Sequence, residues 1–194
     1  MVKLIGKNKL DIAVFISGRG SNLKNLIKFS KKKNSPIKIK LVISSKRNAK
    51  GLIYAKKNKI KSIIFNFNKK LATEKKLLKI LKIKSIKLIC LAGFMKILTN
   101  KFINNFNGKI INIHPSLLPK YKGLNTNYRV IKNNEKYTGC TVHHVNKNLD
   151  SGKIIIQRKI KIYKKDTVST LTKKVLKLEH LIYPKAVKKI VANL

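Results

Sequence analysis

Short apolar runs alternate with amphipathic segments along the first 110 residues, and this alternation constrains the fold more than any other feature. The apolar runs have the length of strands, whereas the segments between them place Leu and Ile at the spacing of a helix face. Alternating strands and helices predict a parallel sheet with helices on both faces. The predicted strands are 11–17, 37–44, 62–67, 86–92 and 109–113, and the predicted helices are 23–33, 49–58, 71–83 and 99–106.

The rest of the chain departs from this pattern, because two strands predicted at 138–145 and 153–163 have no helix between them. Strands joined by a short loop pair in antiparallel fashion, so part of the sheet is expected to be antiparallel. Two further helices are predicted over 125–133 and 167–192. The second of these is either continuous or broken at Pro184, since proline lacks the backbone N–H that a helix interior uses.

Length and element pattern together indicate a single domain that spans residues 1–194. A chain of 194 residues is long enough for one substantial hydrophobic core. The fold class is α/β, with a Rossmann-like, doubly wound, mostly parallel sheet and an antiparallel C-terminal part. Ligands of such sheets bind outside the carboxyl ends of the strands, so the loops that follow strands are the first places to look for a site.

The charge of the chain is extreme, with a formal net charge of +41 from 47 Lys and Arg against six Asp and Glu. One reading is a surface for nucleic acid or an anionic membrane. The other is a compositional bias, because Lys, Ile and Asn all have A/T-rich codons and are abundant together. The lysines are scattered over every segment, which favours the bias. We therefore predict no specific nucleic-acid partner and no membrane partner.

Other bulk features exclude several classes of protein. Apolar residues make up 43% of the chain, which argues against disorder. A run of about 18 apolar residues is absent, so no transmembrane helix is expected, and residues 1–10 lack the apolar core of a secretory signal. Cys90 and Cys140 lie within apolar runs, which indicates buried thiols in a reducing cytoplasm.

Asn112 and His114 lie where an apolar strand runs into a proline-rich loop. Residues two apart in a strand point to the same side, so both side chains are expected to face one small volume. The pair suits a reaction in which an oxygen gains negative charge while a proton moves. Asp150 precedes Gly152 in a loop, and a carboxylate beside an imidazole favours its protonated form. We interpret these three residues as catalytic and expect a protonated His114; the alternative is a histidine of the core.

The loop 17–22, with the sequence SGRGSN, joins the first predicted strand to the first predicted helix. Its glycines and the N–H groups of the following helix suit an anion, although a plain turn with Ser21 as the helix cap explains the sequence equally well. Residues 94–98 follow another strand end. They are interpreted either as core or as the wall of a ligand pocket, with Met95 and Leu98 in that wall.

Histidines elsewhere in the chain do not predict a metal site. His143 and His144 are adjacent on a predicted strand and therefore face opposite sides, so one is expected in the site wall and the other packed or exposed. His180 lies beside Glu179 in the last helix and is expected at the surface. Because no cysteine and histidine have the spacing of zinc ligands, we predict no metal.

Five segments in order resemble the family of folate-dependent phosphoribosylglycinamide formyltransferases. They are SGRGSNL at 17–23, LAGFMKIL at 91–98, NIHPSLLPKY at 112–121, GCTVH through LDSG at 139–152, and EH with YP at 179–184. The resemblance covers essentially the whole chain. It implies the formyltransferase fold and a cytoplasmic enzyme of purine synthesis. The implied reaction transfers a formyl group from the co-substrate 10-formyltetrahydrofolate to the amine of phosphoribosylglycinamide, without a metal.

The resemblance also implies roles for individual residues. It assigns catalysis to Asn112, His114 and Asp150. Ribonucleotide binding falls to Gly20, Ser21, Asn22, Leu23, Lys24 and Glu179. Folate binding falls to Lys70, Met95, Lys96, Ile97, Leu98, Asn112, Asn146, Lys147, Asn148, Leu149 and Asp150. The chain departs from the family where arginine or histidine is common, at Lys96, Asn125 and Asn127, and it has a shorter C-terminal tail.

Two other functions are compatible with parts of the sequence. Methionyl-tRNA formyltransferases have a similar Asn-x-His-x-Ser-Leu-Leu-Pro segment, and a basic surface suits tRNA. That family has a further C-terminal domain, however, and the loop 17–22 is typical of the ribonucleotide enzyme. A basic nucleic-acid-binding protein on the same fold is the other alternative, and the intact catalytic residues argue against it. The sequence leaves a monomer and a homodimer open.

Overall fold

The computed structural model describes residues 9–66 and 69–194. Within them the strands are β1 (Leu10–Ile16), β2 (Ile37–Ser44), β3 (Lys61–Ile64), β4 (Leu88–Leu91), β5 (Lys109–His114), β6 (Tyr137–His144) and β7 (Ile154–Lys161). The helices are α1 (Ser21–Ser30), α2 (Leu52–Lys57), α3 (Lys70–Ile83), α4 (Asn100–Asn105), α5 (Thr126–Lys132) and α6 (Val168–Val191). Every predicted element is therefore present, although many bounds differ from the prediction.

The strands form one sheet in the order β3-β2-β1-β4-β5-β6-β7. The pairs from β3 to β5 are all parallel, whereas β6 pairs antiparallel with both β5 and β7. This confirms the predicted α/β class, including its antiparallel C-terminal part. The order along the sheet reverses between β1 and β4, which is the position where open α/β sheets bind their ligands.

Helices cover both faces of the sheet because the central strands are apolar on both faces. Alternate residues of β1 divide between two hydrophobic clusters, as the two-residue period of a strand requires. Ile12 belongs to a cluster that includes Leu26 of α1 and Tyr183 of α6. Ala13, the next residue, belongs to the cluster that includes Leu77 of α3 and a residue of α4. Burial on both faces explains why these strands are uniformly apolar in sequence.

Local sequence explains where the observed bounds differ from the predicted ones. Helix α1 begins at Ser21, two residues earlier than predicted, because Gly20 adopts a φ of 73° and starts the helix there. It ends at Ser30, before the run of lysines at 31–33. Strand β3 ends at Ile64. Phe67, at the end of the predicted strand, lies outside the described residues, as do residues 1–8 and the expectation that they contain no secretory signal.

Helix α6 continues through Pro184, so the alternative of a break at this residue is wrong. The missing N–H of Pro184 leaves the carbonyl oxygen four residues earlier, on His180, without its helical donor. Asn25 of α1 supplies a replacement, because its Nδ2 donates to the His180 oxygen over 2.7 Å. A contact from a distant helix therefore satisfies the group that the proline leaves unpaired.

Both cysteines are buried free thiols, as expected. Burial raises the pKa of Cys90 and of Cys140 to about 12, which makes both poor nucleophiles. Across residues 9–66 and 69–194, the helices are all too short or too polar to span a bilayer.

Candidate active site

A cleft of about 720 Å³ opens at the carboxyl edge of the parallel strands, where β1 and β4 are neighbours. Loops that leave adjacent strands toward opposite faces of a sheet create a crevice between them. The lining comes from the loops after β1, β4 and β5, from the start of α5, from the loop after β6 and from α6. The strand order therefore determines where the site lies.

The side chains of Asn112, His114, His143 and Asp150 converge in this cleft. Asn112 Nδ2 lies 3.3 Å from His143 Nε2 and 3.4 Å from Asp150 Oδ1. His114 Nδ1 lies 3.4 Å from Asp150 Oδ2, and His143 Nε2 lies 3.5 Å from Asp150 Oδ1. The structure thus brings together the three residues predicted to be catalytic and adds a second histidine.

His143 was not among the predicted catalytic residues, although one of the two adjacent histidines was expected in the site wall. Its position follows from the register of the antiparallel pair, in which Asn112 is directly opposite His143. His143 Nδ1–H donates to the carbonyl oxygen of His144 over 2.8 Å, which leaves Nε2 directed at Asn112 and Asp150. His144 itself is half-buried on the other face of the strand.

His114 is 5% exposed and donates its Nε2–H to the carbonyl oxygen of Tyr121 over 2.8 Å. Burial lowers its pKa below the ordinary histidine value. The hydrogen bond to Tyr121 and the charge of Asp150 both raise the pKa, but they do not compensate for burial. The expectation that Asp150 keeps His114 protonated is therefore wrong for this structure. At neutral pH His114 is a neutral imidazole whose unprotonated Nδ1 faces the Asp150 carboxylate.

Asp150 keeps a negative charge although it is only 8% exposed. Burial alone would raise its pKa. A hydrogen bond from His143, the backbone N–H of Gly123 at 2.9 Å and the neighbouring imidazoles outweigh burial, and the net pKa is lowered. A buried carboxylate surrounded by donors in this way is ionised across the neutral range.

The loop that carries Asp150 is held in place by tight backbone packing. Asp150 has a φ of 46°, a conformation that side-chain-bearing residues seldom adopt. Two residues later, a Cβ on Gly152 would lie 1.7 Å from the His144 carbonyl oxygen, so only glycine fits there. The Asp-Ser-Gly sequence therefore lets the loop approach β6 closely and direct the carboxylate at the two histidines.

One end of the cleft is formed by the loop 17–20 and the N-terminus of α1. The helix begins after Gly20, so the alternative of Ser21 as its cap is wrong. A Cβ on Gly20 would lie 2.5 Å from Gly51 Cα, and only glycine permits this approach. Within the described residues no side chain caps α1. The first-turn N–H groups of Ser21 and Asn22 therefore suit an anion.

Glu179 of α6 lies beside the start of α1 in this cleft. Its Oε2 accepts a hydrogen bond from Asn22 Nδ2 over 2.6 Å. Burial raises the pKa of Glu179 to about 7, although the bond from Asn22 acts in the opposite direction. Asn22 Oδ1 is buried and has no hydrogen-bond partner among the residues that the structure describes. A polar ligand with its own donors fits both groups.

Another part of the cleft wall is apolar. Large side chains of Met95, Ile97 and Leu149 are 62%, 64% and 52% exposed around it, and clustered exposed apolar groups are typical of a ligand surface. Leu98 packs in the wall beneath them, as predicted. The backbone N–H of Met95 donates to Ser17 Oγ over 2.8 Å, which ties this wall to the loop after β1.

Most of the predicted binding residues line the cleft: Gly20, Ser21, Asn22, Met95, Lys96, Ile97, Leu98, Asn146, Lys147, Asn148, Leu149 and Glu179. Among the residues that the structure describes, Leu23, Lys24 and Lys70 do not. Leu23 is fully buried in the core, the Lys24 ammonium lies 5.5 Å from the Tyr54 ring centroid, and Lys70 begins α3.

Arg19 and Lys46 also line the cleft, although they are not among the predicted binding residues. Arg19 lies inside the glycine loop. Lys46 follows the end of β2, and the carboxyl ends of parallel strands share one edge of the sheet, so this position was a signal in the sequence. In residues 9–66 and 69–194 no three His, Cys, Asp or Glu side chains are arranged to hold a metal ion.

Comparison with known proteins shows one consistent likeness. A family model described as formyl transferase matches residues 10–187. The phosphoribosylglycinamide formyltransferase of Haemophilus influenzae is 43% identical over 180 residues, which cover 91% of this chain and 85% of that protein. The crystal structure of phosphoribosylglycinamide formyltransferase from Anaplasma phagocytophilum is 40% identical, with a TM-score of 0.89, and the match covers 96% of this chain and 88% of that one.

A longer relative is the human trifunctional purine biosynthetic protein adenosine-3. It is 40% identical over 183 residues, which cover 93% of this chain but only 18% of that protein. The likeness therefore concerns one part of the human protein.

Proposed function

The chain belongs to the formyl transferase family, and we propose that it transfers a formyl group from 10-formyltetrahydrofolate to the amine of N1-(5-phosphoribosyl)glycinamide in purine biosynthesis. The observation that carries this proposal is the division of one cleft into three parts. The cleft combines a helix N-terminus suited to an anion, an apolar wall, and the side chains of Asn112, His114 and Asp150. We place the enzyme in the cytoplasm, acting on small molecules.

The phosphate of the ribonucleotide binds at the N-terminus of α1. Backbone N–H groups of Ser21 and Asn22 and the positive end of the helix dipole stabilise it there, and Arg19 and Lys46 add positive charge. Glu179 and the unpartnered Oδ1 of Asn22 accept hydrogen bonds from the remainder of the ribonucleotide. This arrangement explains why an acid lies close to an anion site: the acid recognises donors, not the phosphate.

The folate lies against the apolar wall formed by residues 94–98 and 146–149. Its flat ring system requires apolar contact on its faces and polar partners at its edges. Met95, Ile97 and Leu149 supply the first, and the backbone and amides of 146–148 supply the second. Lys96 faces the same part of the cleft and suits the negatively charged end of the co-substrate.

Asn112 stabilises the charge that develops during transfer. When the amine bonds to the formyl carbon, negative charge develops on the formyl oxygen, and Asn112 Nδ2 donates a hydrogen bond to it. Removal of one such donor typically costs about 3–4 kcal/mol of transition-state stabilisation. No covalent bond between substrate and protein is required.

His114 and Asp150 move the proton. The attacking amine loses a proton, and the folate nitrogen gains one as its bond to the formyl carbon breaks. Neutral His114 is suited to accept the proton at Nδ1, which lies 3.4 Å from Asp150 Oδ2. The carboxylate then stabilises the imidazolium that forms, a general acid–base role that typically contributes a factor of about 10²–10⁴. Because His114 is neutral before the reaction, it acts first as a base toward the amine and afterwards as an acid toward the folate nitrogen.

The proposal is tested by measuring formyl transfer from 10-formyltetrahydrofolate to two acceptors, phosphoribosylglycinamide and charged methionyl-tRNA. We expect transfer to the ribonucleotide and none to the tRNA. Relatives at 35–43% identity are named for the ribonucleotide activity, which does not favour the tRNA alternative. Transfer to the tRNA alone would overturn the proposal.

We attribute the charge of +41 to composition and not to a nucleic-acid site. A diffuse basic surface binds nucleic acid weakly, and that binding disappears as salt rises, because it depends on counterion release. Titration with tRNA at low and physiological salt separates the cases. A nanomolar affinity that persists at physiological salt would contradict this attribution.

A further inference from the structure

Residues 120–124 contact both members of the His114–Asp150 pair through backbone groups. The carbonyl oxygen of Tyr121 accepts the Nε2–H of His114 over 2.8 Å, and the N–H of Gly123 donates to Asp150 Oδ2 over 2.9 Å. A carbonyl oxygen can only accept, so its position decides which ring nitrogen of His114 carries the proton. The path of this segment therefore sets the tautomer of the histidine and the orientation of the carboxylate.

Arg129 of α5 binds the same segment through three contacts. Its Nη1 donates to the carbonyl oxygens of Lys122 and Leu124, at 2.8 Å and 3.3 Å, which are the residues on either side of Gly123. Its guanidinium carbon lies 5.3 Å from the centroid of the Tyr121 ring, within the range of a cation–π contact. One side chain thus restrains both residues whose backbone groups contact the catalytic pair.

The phenol of Tyr121 is fixed at its far end as well. Its hydroxyl donates to Glu135 Oε1 over 2.9 Å and accepts from Asn133 Nδ2 over 3.0 Å. Tyr121 has a φ of 57°, in the left-handed region that residues with a Cβ seldom adopt. Contacts on the ring and the hydroxyl hold the backbone in this conformation and keep the carbonyl directed at His114.

Position 129 is one of the few places where this chain has an arginine instead of a lysine. Only four of the 47 basic residues are arginine: Arg19, Arg47, Arg129 and Arg158. A guanidinium presents several donors in a fixed plane and stacks on an aromatic ring at the same time, whereas an ammonium is a point charge on a flexible stem. Binding two carbonyl oxygens and one ring simultaneously requires the guanidinium.

We propose that Arg129 is a positioning residue for formyl transfer, which through residues 120–124 holds His114 as the Nε2–H tautomer and directs the Asp150 carboxylate at Nδ1. The inference rests on the proposed function, in which an unprotonated Nδ1 accepts the proton. Arg129 is not among the residues that line the cleft, so we expect it to act on the rate of the chemical step and not on binding. A misplacement of a catalytic group by about 1 Å can lower the rate by a factor of about 100.

The test replaces Arg129 by lysine, which keeps the charge and removes the planar donors. Arg158→Lys on the exposed face of β7 is the matched control. For Arg129→Lys we expect kcat to fall by roughly tenfold or more, with the KM of both substrates within about twofold. For Arg158→Lys we expect kinetic constants equal to those of the wild type.

A spectroscopic measurement tests the proposal independently of activity. Long-range proton–nitrogen correlation spectra of ¹⁵N-histidine-labelled protein report the tautomer of His114. We expect the Nε2–H form in the wild type and in Arg158→Lys, and a mixture of both tautomers in Arg129→Lys. Tyr121→Phe, which loses the bonds to Glu135 and Asn133 but keeps the ring, is expected to change the spectrum in the same direction.

The two measurements distinguish the ways in which this inference can fail. If Arg129→Lys retains a pure Nε2–H tautomer and a wild-type kcat, Arg129 has no positioning role. A lowered kcat with an unchanged tautomer also overturns the proposal, because the loss then has another origin. If the wild type transfers no formyl group at all, the proposed function fails, and the tautomer spectra still decide whether Arg129 orients His114.

Discussion

Asp150 and Glu179 occupy different parts of one cleft, are equally buried at 8% exposure, and have opposite charge behaviour. The pKa of Asp150 is lowered, because hydrogen bonds from His143 and Gly123 and the nearby imidazoles outweigh burial. The pKa of Glu179 is raised to about 7, because Asn22 is its single hydrogen-bond partner among the described residues and does not outweigh burial. The number and kind of donors, and not the depth of burial, therefore decide which acid is ionised in the resting protein.

The difference matches the two proposed roles. A carboxylate that must stabilise an imidazolium needs a permanent charge, and its donors are part of the protein. A carboxyl that recognises a ligand receives its hydrogen-bond donors from that ligand. It therefore remains poorly solvated in the free protein. In the ligand-free protein, Asp150 therefore stabilises the folded state, whereas Glu179 destabilises it.

The largest expected effect is on turnover in Asp150→Asn. The amide keeps the size of the side chain but cannot stabilise an imidazolium, so the pKa of His114, already lowered by burial, should fall further. We expect kcat at neutral pH to drop by a factor of about 10²–10⁴, while ribonucleotide affinity changes little because the proposed phosphate site is at α1. The measurement is kcat against pH together with ribonucleotide binding by calorimetry.

Asp166→Asn is a suitable control for this variant, because Asp166 pairs with Lys174 outside the cleft. It should lower stability without changing kcat. A wild-type kcat in Asp150→Asn at neutral pH would show that this carboxylate has no part in proton transfer.

The next effect is on stability, and the two acids should give opposite signs. The folded pKa of Glu179 lies above its unfolded value of 4.5, so the folded state binds the proton more tightly and stability falls as pH rises from 4.5 to about 7. At about 1.4 kcal/mol per pKa unit this amounts to up to about 3 kcal/mol. Glu179→Gln should therefore be more stable than the wild type at pH 8 and equal to it near pH 4.

The folded pKa of Asp150 lies below its unfolded value, so its contribution is present above the unfolded pKa and disappears as pH falls through the folded pKa. Asp150→Asn should consequently be less stable than the wild type at pH 8. Urea unfolding of both variants at pH 4 and pH 8 measures these differences. If both substitutions shift stability in the same direction at pH 8, the contrast between the two acids is not real.

The smallest expected effect is on ribonucleotide affinity in Glu179→Gln. Hydrogen bonds to a charged acceptor are stronger than those to a neutral one by about 1 kcal/mol, so we expect affinity at pH 8 to fall by roughly five- to tenfold. At pH 6 the wild-type carboxyl is mostly protonated and the difference should shrink. The phosphate of the ligand titrates as well, but it does so equally for both proteins. The ratio of the two affinities is therefore independent of the phosphate. A ratio independent of pH would exclude titration of Glu179 as the cause.

The helices, the strands and part of the site could be predicted from sequence because they depend on interactions between residues close together in the chain. Strand β2 was predicted with the observed bounds, and the two-residue strand period correctly placed Asn112 and His114 on one side. The cap of α4 is local in the same way, because Thr99, directly before the helix, accepts the N–H of Phe102 through its side chain.

Other features depend on parts of the chain that are far apart in sequence. His143 enters the site through the register between β5 and β6, which no pattern within β6 reveals. The continuity of α6 at Pro184 depends on Asn25, 155 residues from the carbonyl that it satisfies. The neutral state of His114 depends on burial by several loops, and burial outweighed the carboxylate that the sequence analysis considered alone.

The contact between α1 and α6 joins two parts of the chain that are synthesised at different times. Asn22 and Glu179 are 157 positions apart, and a ribosome releases the N-terminal part first. A nascent chain that ends before α6 already contains Asn112, His114 and Asp150, but it lacks the carboxyl that we propose recognises the ribonucleotide. Part of the proposed substrate affinity therefore arises only with the last helix to be synthesised. Because a ligand stabilises only the state that binds it, the ribonucleotide favours the completed protein over its unfinished precursors.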